Sequence, residues 1–254
     1  MNILSLKNYY RKIRLWLLSI SSQKQCPICK TSFLIFLPAG SKGYALKKYQ
    51  VDGAGYRKNV ICPSCNSSDR SRLLYLFLIK MRASILNKNI RLLHIAPDTE
   101  FPSFFKNKKN INYYNGDLDK NLADLEIDIT KIDFDQNFFD VIICNHVLEQ
   151  LDDDFIALKE LFRVLKKDGF AILQSPISRT LETTYENKSL STADDYLREY
   201  GQPDMRRIFG QDYQNRLESV GFKVDIYKPD TFLSYDLISR HGINLNENIY
   251  IGTK

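Results

Sequence analysis

The chain has no apolar run of the roughly 18 residues that a membrane span needs. The N-terminus carries no small-residue cleavage site of the kind that ends a secretory signal. Both absences make a cytoplasmic location the expectation. Histidine is scarce: His94, His146 and His241 are the only three in 254 residues, which leaves few candidates for a base titrating near neutrality. Cysteine is scarce too, at five. Acidic residues are missing from the first 51 positions. Nine basic residues, Lys7 to Lys48, precede Asp52, whereas the whole chain nets only +6. The positive charge therefore belongs to the N-terminal part, and it favours an anionic partner there.

What is present is more specific. Four cysteines form two pairs, Cys26-Pro27-Ile28-Cys29 and Cys62-Pro63-Ser64-Cys65. Two such pairs read as the knuckles of a zinc ribbon, whose four thiolates close a tetrahedral structural site. Residues 4–20 alternate apolar and basic positions as an amphipathic helix, suited to peripheral membrane association or to packing on its own domain. Ser68 to Arg82 reads as a helix. Arg70 and Arg72 in its first turn oppose the helix dipole, which points to an anion-holding task for one or both.

From residue 90 the pattern alternates apolar runs with amphipathic ones. Strands are expected at Ile90–Ile95, Ile111–Asn115, Leu125–Ile129, Phe139–Cys144 and Phe170–Gln174. A short helix is expected at Thr99–Asn107, a longer one at Phe155–Leu165 closed by Gly169, and another over 207–220. Phe222–Tyr227 and Asn248–Gly252 read as a final hairpin-like pair. Such alternation implies an α/β fold, a Rossmann-like, doubly wound, mostly parallel sheet. The division expected is a basic helix over 1–25, a zinc module with linking helix over 26–85, and a catalytic domain over 86–254 with an insertion at 176–203. In sheets of this kind ligands bind past the C-terminal ends of the strands. Asp98, Asp117, Asp128 and the pair Asn145-His146 fall at those ends.

The segments Tyr114-Asn115-Gly116-Asp117, Asp128-Ile129, Phe139-Asp140-Val141-Ile142, Asn145-His146-Val147-Leu148-Glu149 and Leu161-Phe162-Arg163-Val164-Leu165-Lys166, in this order, resemble class I S-adenosylmethionine-dependent methyltransferases. A narrower resemblance is to a bacterial group associated with surface polysaccharides. It rests on Cys62-Pro63-Ser64-Cys65 with Arg70-Ser71-Arg72 and on Tyr200-Gly201-Gln202-Pro203-Asp204 leading into Arg207-Ile208-Phe209-Gly210. The resemblance implies a cofactor site of His94, Ala96, Pro97, Asp98, Asp117, Leu118, Asp128, Ile129, Asn145 and His146, with S-adenosylmethionine as cofactor beside the zinc ion. Asp117 would take the ribose and Asp128-Ile129 the adenine. The glycine-rich turn usual after the first strand is replaced by His94-Ile95-Ala96-Pro97-Asp98.

For transfer to oxygen the acceptor needs a base. His146 is the first candidate, with Glu149 beside it. Arg70, Arg72 and Arg207 are candidate clamps for an acceptor's phosphate or carboxylate, and Tyr185 and Tyr200 candidate stacking surfaces. The function expected is an O-methyltransferase acting on a sugar hydroxyl or phosphate-like group of a capsule or lipopolysaccharide building block, nucleotide-linked or phosphorylated. The alternatives are a ribosomal RNA methyltransferase and a non-enzymatic zinc-ribbon protein with a decayed cofactor site. Thin interleaving of aromatic and basic residues argues against nucleic acid.

Overall fold

A computed structural model of the chain describes residues 23–98 and 101–254. The helix expected at 4–20 lies outside those residues. Seven strands form the central sheet: β1 (Ile90–Ile95), β2 (Ile111–Asp117), β3 (Leu125–Glu126), β4 (Phe139–Cys144), β5 (Leu165–Ile172), β6 (Lys223–Tyr227) and β7 (Ile249–Thr253). Their order is β6-β7-β5-β4-β1-β2-β3. The neighbours from β5 to β3 run parallel, while β7 is antiparallel to both β5 and β6. The doubly wound, mostly parallel sheet expected from the alternation is thus the fold.

β4 shows why these runs become central strands. Val141 and Ile143 enter one core, and Phe139, Ile142 and Cys144 enter the other. A strand buried on both faces needs a continuous apolar run. Three helices cover one face: α1 (Asp69–Met81), α2 (Phe101–Lys106) and α6 (Tyr235–His241). On the other lie α3 (Asp154–Val164) and α5 (Tyr213–Glu218). Ser68 caps α1 through the Ser71 amide, and Asp153 caps α3 through Phe155 and Ile156, which satisfies donors that helix starts leave open. Among the described residues no helix is long and apolar enough to cross a membrane.

Two sequence expectations need correction. Gly169 does not close α3: the chain is already extended at Leu165, which pairs with Phe139, and a bulge precedes the Phe170–Val141 pair. Gly169 sits in that bulge, where a Cβ would lie 3.0 Å from the Asp140 carbonyl oxygen. Residues 207–220 are not one helix. Arg207–Ile208 pairs with Tyr185–Glu186, and only Tyr213–Glu218 is helical. Tertiary strand pairing overrides the local pattern there.

The N-terminal segment is built into this frame. Val51–Asp52 pairs antiparallel with Ile177–Ser178. Ala45, Leu46, Val51 and Ala54 share a core with Tyr200, Met205 and Ile208. The segment between the cysteine pairs and the insertion, with its helix α4 (Ala193–Tyr200), therefore pack together over the sheet's C-terminal edge.

Candidate active site

Four strand ends converge on one cavity of about 600 Å³. β1 brings Ile95, Ala96 and Asp98, and β2 brings Asp117 and Leu118. Asp128, Ile129 and Thr130 follow β3, and Asn145, His146 and Val147 follow β4. The cavity lies where chain order reverses, since β1 has β2 on one side and β4 on the other. That switch point splays the loops and opens a crevice.

Local bonding fixes each carboxylate. Asp117 accepts from the Asp119 amide at 2.9 Å. Asp128 accepts from the Thr130 hydroxyl and amide at 2.6 and 2.8 Å, and these bonds hold its pKa below the usual carboxylate value. Asp98 accepts from the Ser71 hydroxyl at 2.5 Å, tying the cavity to α1. Asn145 accepts from the Gln174 amide. Ala96 takes a left-handed φ of +46° where glycine is the easy choice, and its amide donates to Gly116 at 2.8 Å. His94 is buried against Phe101, accepts or donates one bond with Tyr113 at 3.2 Å, and is pushed down to a pKa of about 4 by burial.

A second cavity of about 310 Å³ adjoins the first, and Arg70, His146 and Gln150 line both. Its other walls come from Gly40, Gly53, Ala54, Arg57 and Asp69 of the N-terminal segment and α1, from Glu149, and from Gln202 and Asp204. Arg57 is held by a two-bond pair with Asp69 at 2.9 and 3.0 Å.

His146 therefore stands between two cavities, with a φ of +57°. Its Nε2 is 3.3 Å from Glu247 Oε1 and its Nδ1 3.6 Å from Glu149 Oε1. Both glutamates are almost fully buried, and each leaves its Oε2 without a partner among the described residues. Burial alone would push the imidazole's pKa down, and Arg70 adds to that. The two carboxylates outweigh both and hold it above the ordinary value.

Of the expected cofactor residues, all but Pro97 line the larger cavity. Glu149 lines only the smaller one. Among the expected acceptor residues, Arg70 lies at both cavities, but the others lie elsewhere. Arg72 is 0% exposed, and its guanidinium donates to five carbonyl oxygens: Asn59, Val60, Ser67, His241 and Gly242. Arg207 is 2% exposed and spends its donors on Glu186 and the carbonyls of Leu148, Leu151 and Asp152. Arg72 has no donor left for a ligand, and the remaining side of Arg207 Nη2 faces Asp154 Oδ1 at 3.6 Å. Tyr200 is buried, with its hydroxyl accepting from the Asn187 amide, and Tyr185 bonds Glu199. These four hold the scaffold. Sequence reasoning missed Glu247, Gly53, Ser71 and Arg206, the last lining the larger cavity. Nothing in the spacing of Asn244-Leu245-Asn246-Glu247 marks the glutamate.

The four cysteine sulfurs all lie within 4.8 Å of one another. Cys26–Cys65 and Cys29–Cys62 are each 3.7 Å apart. A tetrahedral ion with Zn–S bonds of about 2.3 Å separates its sulfurs by about 3.8 Å, so the set fits zinc. The two knuckles repeat one geometry: Lys30 and Asn66, each four residues past the first cysteine, have φ of +63° and +62° and donate to Cys26 and Cys62. Arg72 adds a buried positive charge beside the cluster, which suits four thiolates around a divalent ion.

The seven-stranded sheet and its order are those of a methyltransferase fold. Residues 95–173 match the family model described as a methyltransferase domain. An S-adenosylmethionine-dependent methyltransferase from Archaeoglobus fulgidus is 15% identical with a TM-score of 0.51, over 75% of this chain and 96% of that one. One from Mesorhizobium loti is 11% identical with a TM-score of 0.49, over 70% and 98%. The 1,6-didemethyltoxoflavin-N1-methyltransferase of Burkholderia thailandensis is 14% identical with a TM-score of 0.49, over 72% and 77%. At these identities the likeness concerns the fold alone. No curated protein matches the chain significantly.

Proposed function

We propose that the chain is an O-methyltransferase acting on a hydroxyl or phosphate-like oxygen of a nucleotide-linked or phosphorylated sugar, a building block of a capsule or lipopolysaccharide. The observation that carries this reading is the placement of His146 on the wall between two adjoining cavities, with Glu149 beside it lining the smaller one. The larger suits the methyl donor and the smaller the acceptor. Arg70, reaching both, suits an anionic acceptor. The polysaccharide setting rests on the sequence resemblance.

S-adenosylmethionine, when bound, supplies an electrophilic methyl group on a sulfonium. Asp117 would accept hydrogen bonds from ribose hydroxyls, and Asp128 and Ile129 would flank the adenine. Leu118, exposed at the mouth, would cover it. With S-adenosylmethionine bound, an acceptor hydroxyl that took its methyl group would have a proton to give up, and that proton would need a destination. Glu149 offers one: its Oε2 is buried, unpartnered and beside the acceptor cavity. His146, with a carboxylate facing each ring nitrogen, is better placed to orient Glu149 than to take the proton itself.

The test is labelled methyl transfer onto nucleotide-linked sugars, phosphorylated sugars and ribosomal RNA. Label on an anionic sugar, abolished in Glu149→Gln, is expected. Label on RNA alone would overturn the reading.

A further inference from the structure

Glu247 comes from the long excursion between β6 and β7, about a hundred residues from His146 in sequence, yet its carboxylate lies 3.3 Å from the imidazole Nε2. It is 4% exposed, and its Oε2 has no partner among the described residues. A buried carboxylate left half-satisfied is costly unless the position is required. A third element closes on the pair. Gly53, between the two cysteine pairs, has φ +86°, and a Cβ there would fall 2.9 Å from both Glu247 Oε2 and His146 Cε1. Strand pairing of Val51–Asp52 with Ile177–Ser178 fixes that approach. The backbone of the cysteine-bearing segment thus presses Glu247 against His146.

We propose that Glu247, clamped by Gly53, is a positioning residue for the transfer reaction: it orients the His146 ring so that Nδ1 faces Glu149 at the acceptor cavity. The proposal rests on the methyltransferase reading for its catalytic consequence, but the orientation of His146 is measurable without any acceptor. The groups facing His146 are Glu149 three residues on, Arg70 from α1 and Glu247. Behind Glu247 lies Asp52, itself paired with Arg179 at 3.2 Å. Removing one of the two carboxylates must lower the proton affinity of the ring, since Arg70 and burial then act against a single anion.

Two variants, Glu247→Gln and Gly53→Ala, with Glu247→Asp as the conservative control, are read in three ways: the His146 Cε1 proton titrated by NMR, calorimetric binding of S-adenosylhomocysteine, and the pH profile of kcat on a nucleotide-linked sugar. Glu247→Gln is expected to move the His146 midpoint to lower pH and to cut kcat by about tenfold or more, with affinity for S-adenosylhomocysteine within twofold (about 0.4 kcal/mol). Gly53→Ala, which keeps every charge but displaces the pair, is expected to reproduce the kcat loss. Glu247→Asp should recover part of the midpoint shift. An unchanged His146 midpoint in Glu247→Gln, or full kcat in both variants, would overturn the proposal. If the unmutated protein fails to bind S-adenosylhomocysteine while the midpoint still moves, the enzyme reading fails and the placement of Glu247 stands.

Discussion

Replacing Arg72 by alanine removes the donors that hold three parts of the chain together. Its guanidinium reaches Asn59, Val60 and Ser67 around the second cysteine pair, and His241 and Gly242 at the end of α6. It also lies 4.1 Å over the Phe36 ring. Each bond contributes about 1 kcal/mol net, and each carbonyl left buried and unpaired costs at least as much. Five of them amount to about 5 kcal/mol, comparable with the whole stability of many domains. Arg72→Lys keeps the charge, but its three donors cannot serve five carbonyls, so an intermediate loss of about 2 kcal/mol is expected. The assay is urea unfolding followed by circular dichroism, with zinc release measured by a chromogenic chelator in parallel. Alanine should lower the midpoint sharply and release metal early, with lysine in between. A residue that instead held the acceptor would leave the midpoint alone and raise KM. Arg72→Ala with wild-type stability would refute the scaffolding assignment.

Other consequences are as direct. One zinc per chain is expected by elemental analysis, and Cys62→Ser should lower both the zinc content and Tm; full metal loading in that variant would exclude the four-cysteine site. Ala96→Gly relieves a left-handed alanine worth about 1–2 kcal/mol, offset by about 0.5–1 kcal/mol of glycine's extra freedom when unfolded, so Tm should rise slightly; a fall would contradict the strain. The pKa of buried His94 is depressed from 6.5 to about 4, so its contribution is fully present above pH 6.5 and is lost as pH falls toward 4. That loss is about 3 kcal/mol, and His94→Phe should flatten this part of the urea-midpoint profile. His146 has the opposite sign: its contribution is full below pH 6.5 and fades as pH rises through its raised value. Glu247→Gln should weaken that alkaline dependence.

The sheet was legible because doubly buried strands must be apolar throughout, as Val141-Ile142-Ile143 is, and because turn residues separate them. The strand-end carboxylates were legible for the same reason, since a strand's end fixes where the next polar residue points. Arg70 and Arg72 were not separable. Two positions apart on a helix differ by about 200° around its axis, so one faces the cavities and the other the interior, and no local pattern says which. Arg207 was misplaced because its partners, Glu186 and the carbonyls after β4, come together only through the insertion. Glu247 had no signal at all: its role exists only where three distant segments meet. His146 itself was visible, but not that both its ring nitrogens face carboxylates, the arrangement on which the proposal of Glu149 as proton acceptor rests.

The most direct test of the central claim is calorimetric titration of the purified, zinc-loaded chain with S-adenosylhomocysteine. Binding at about micromolar affinity, one per chain and strongly weakened by Asp117→Ala, is the expected result. No heat of binding at millimolar ligand, in protein shown to be folded and metal-loaded, would contradict the assignment of the larger cavity to the methyl donor.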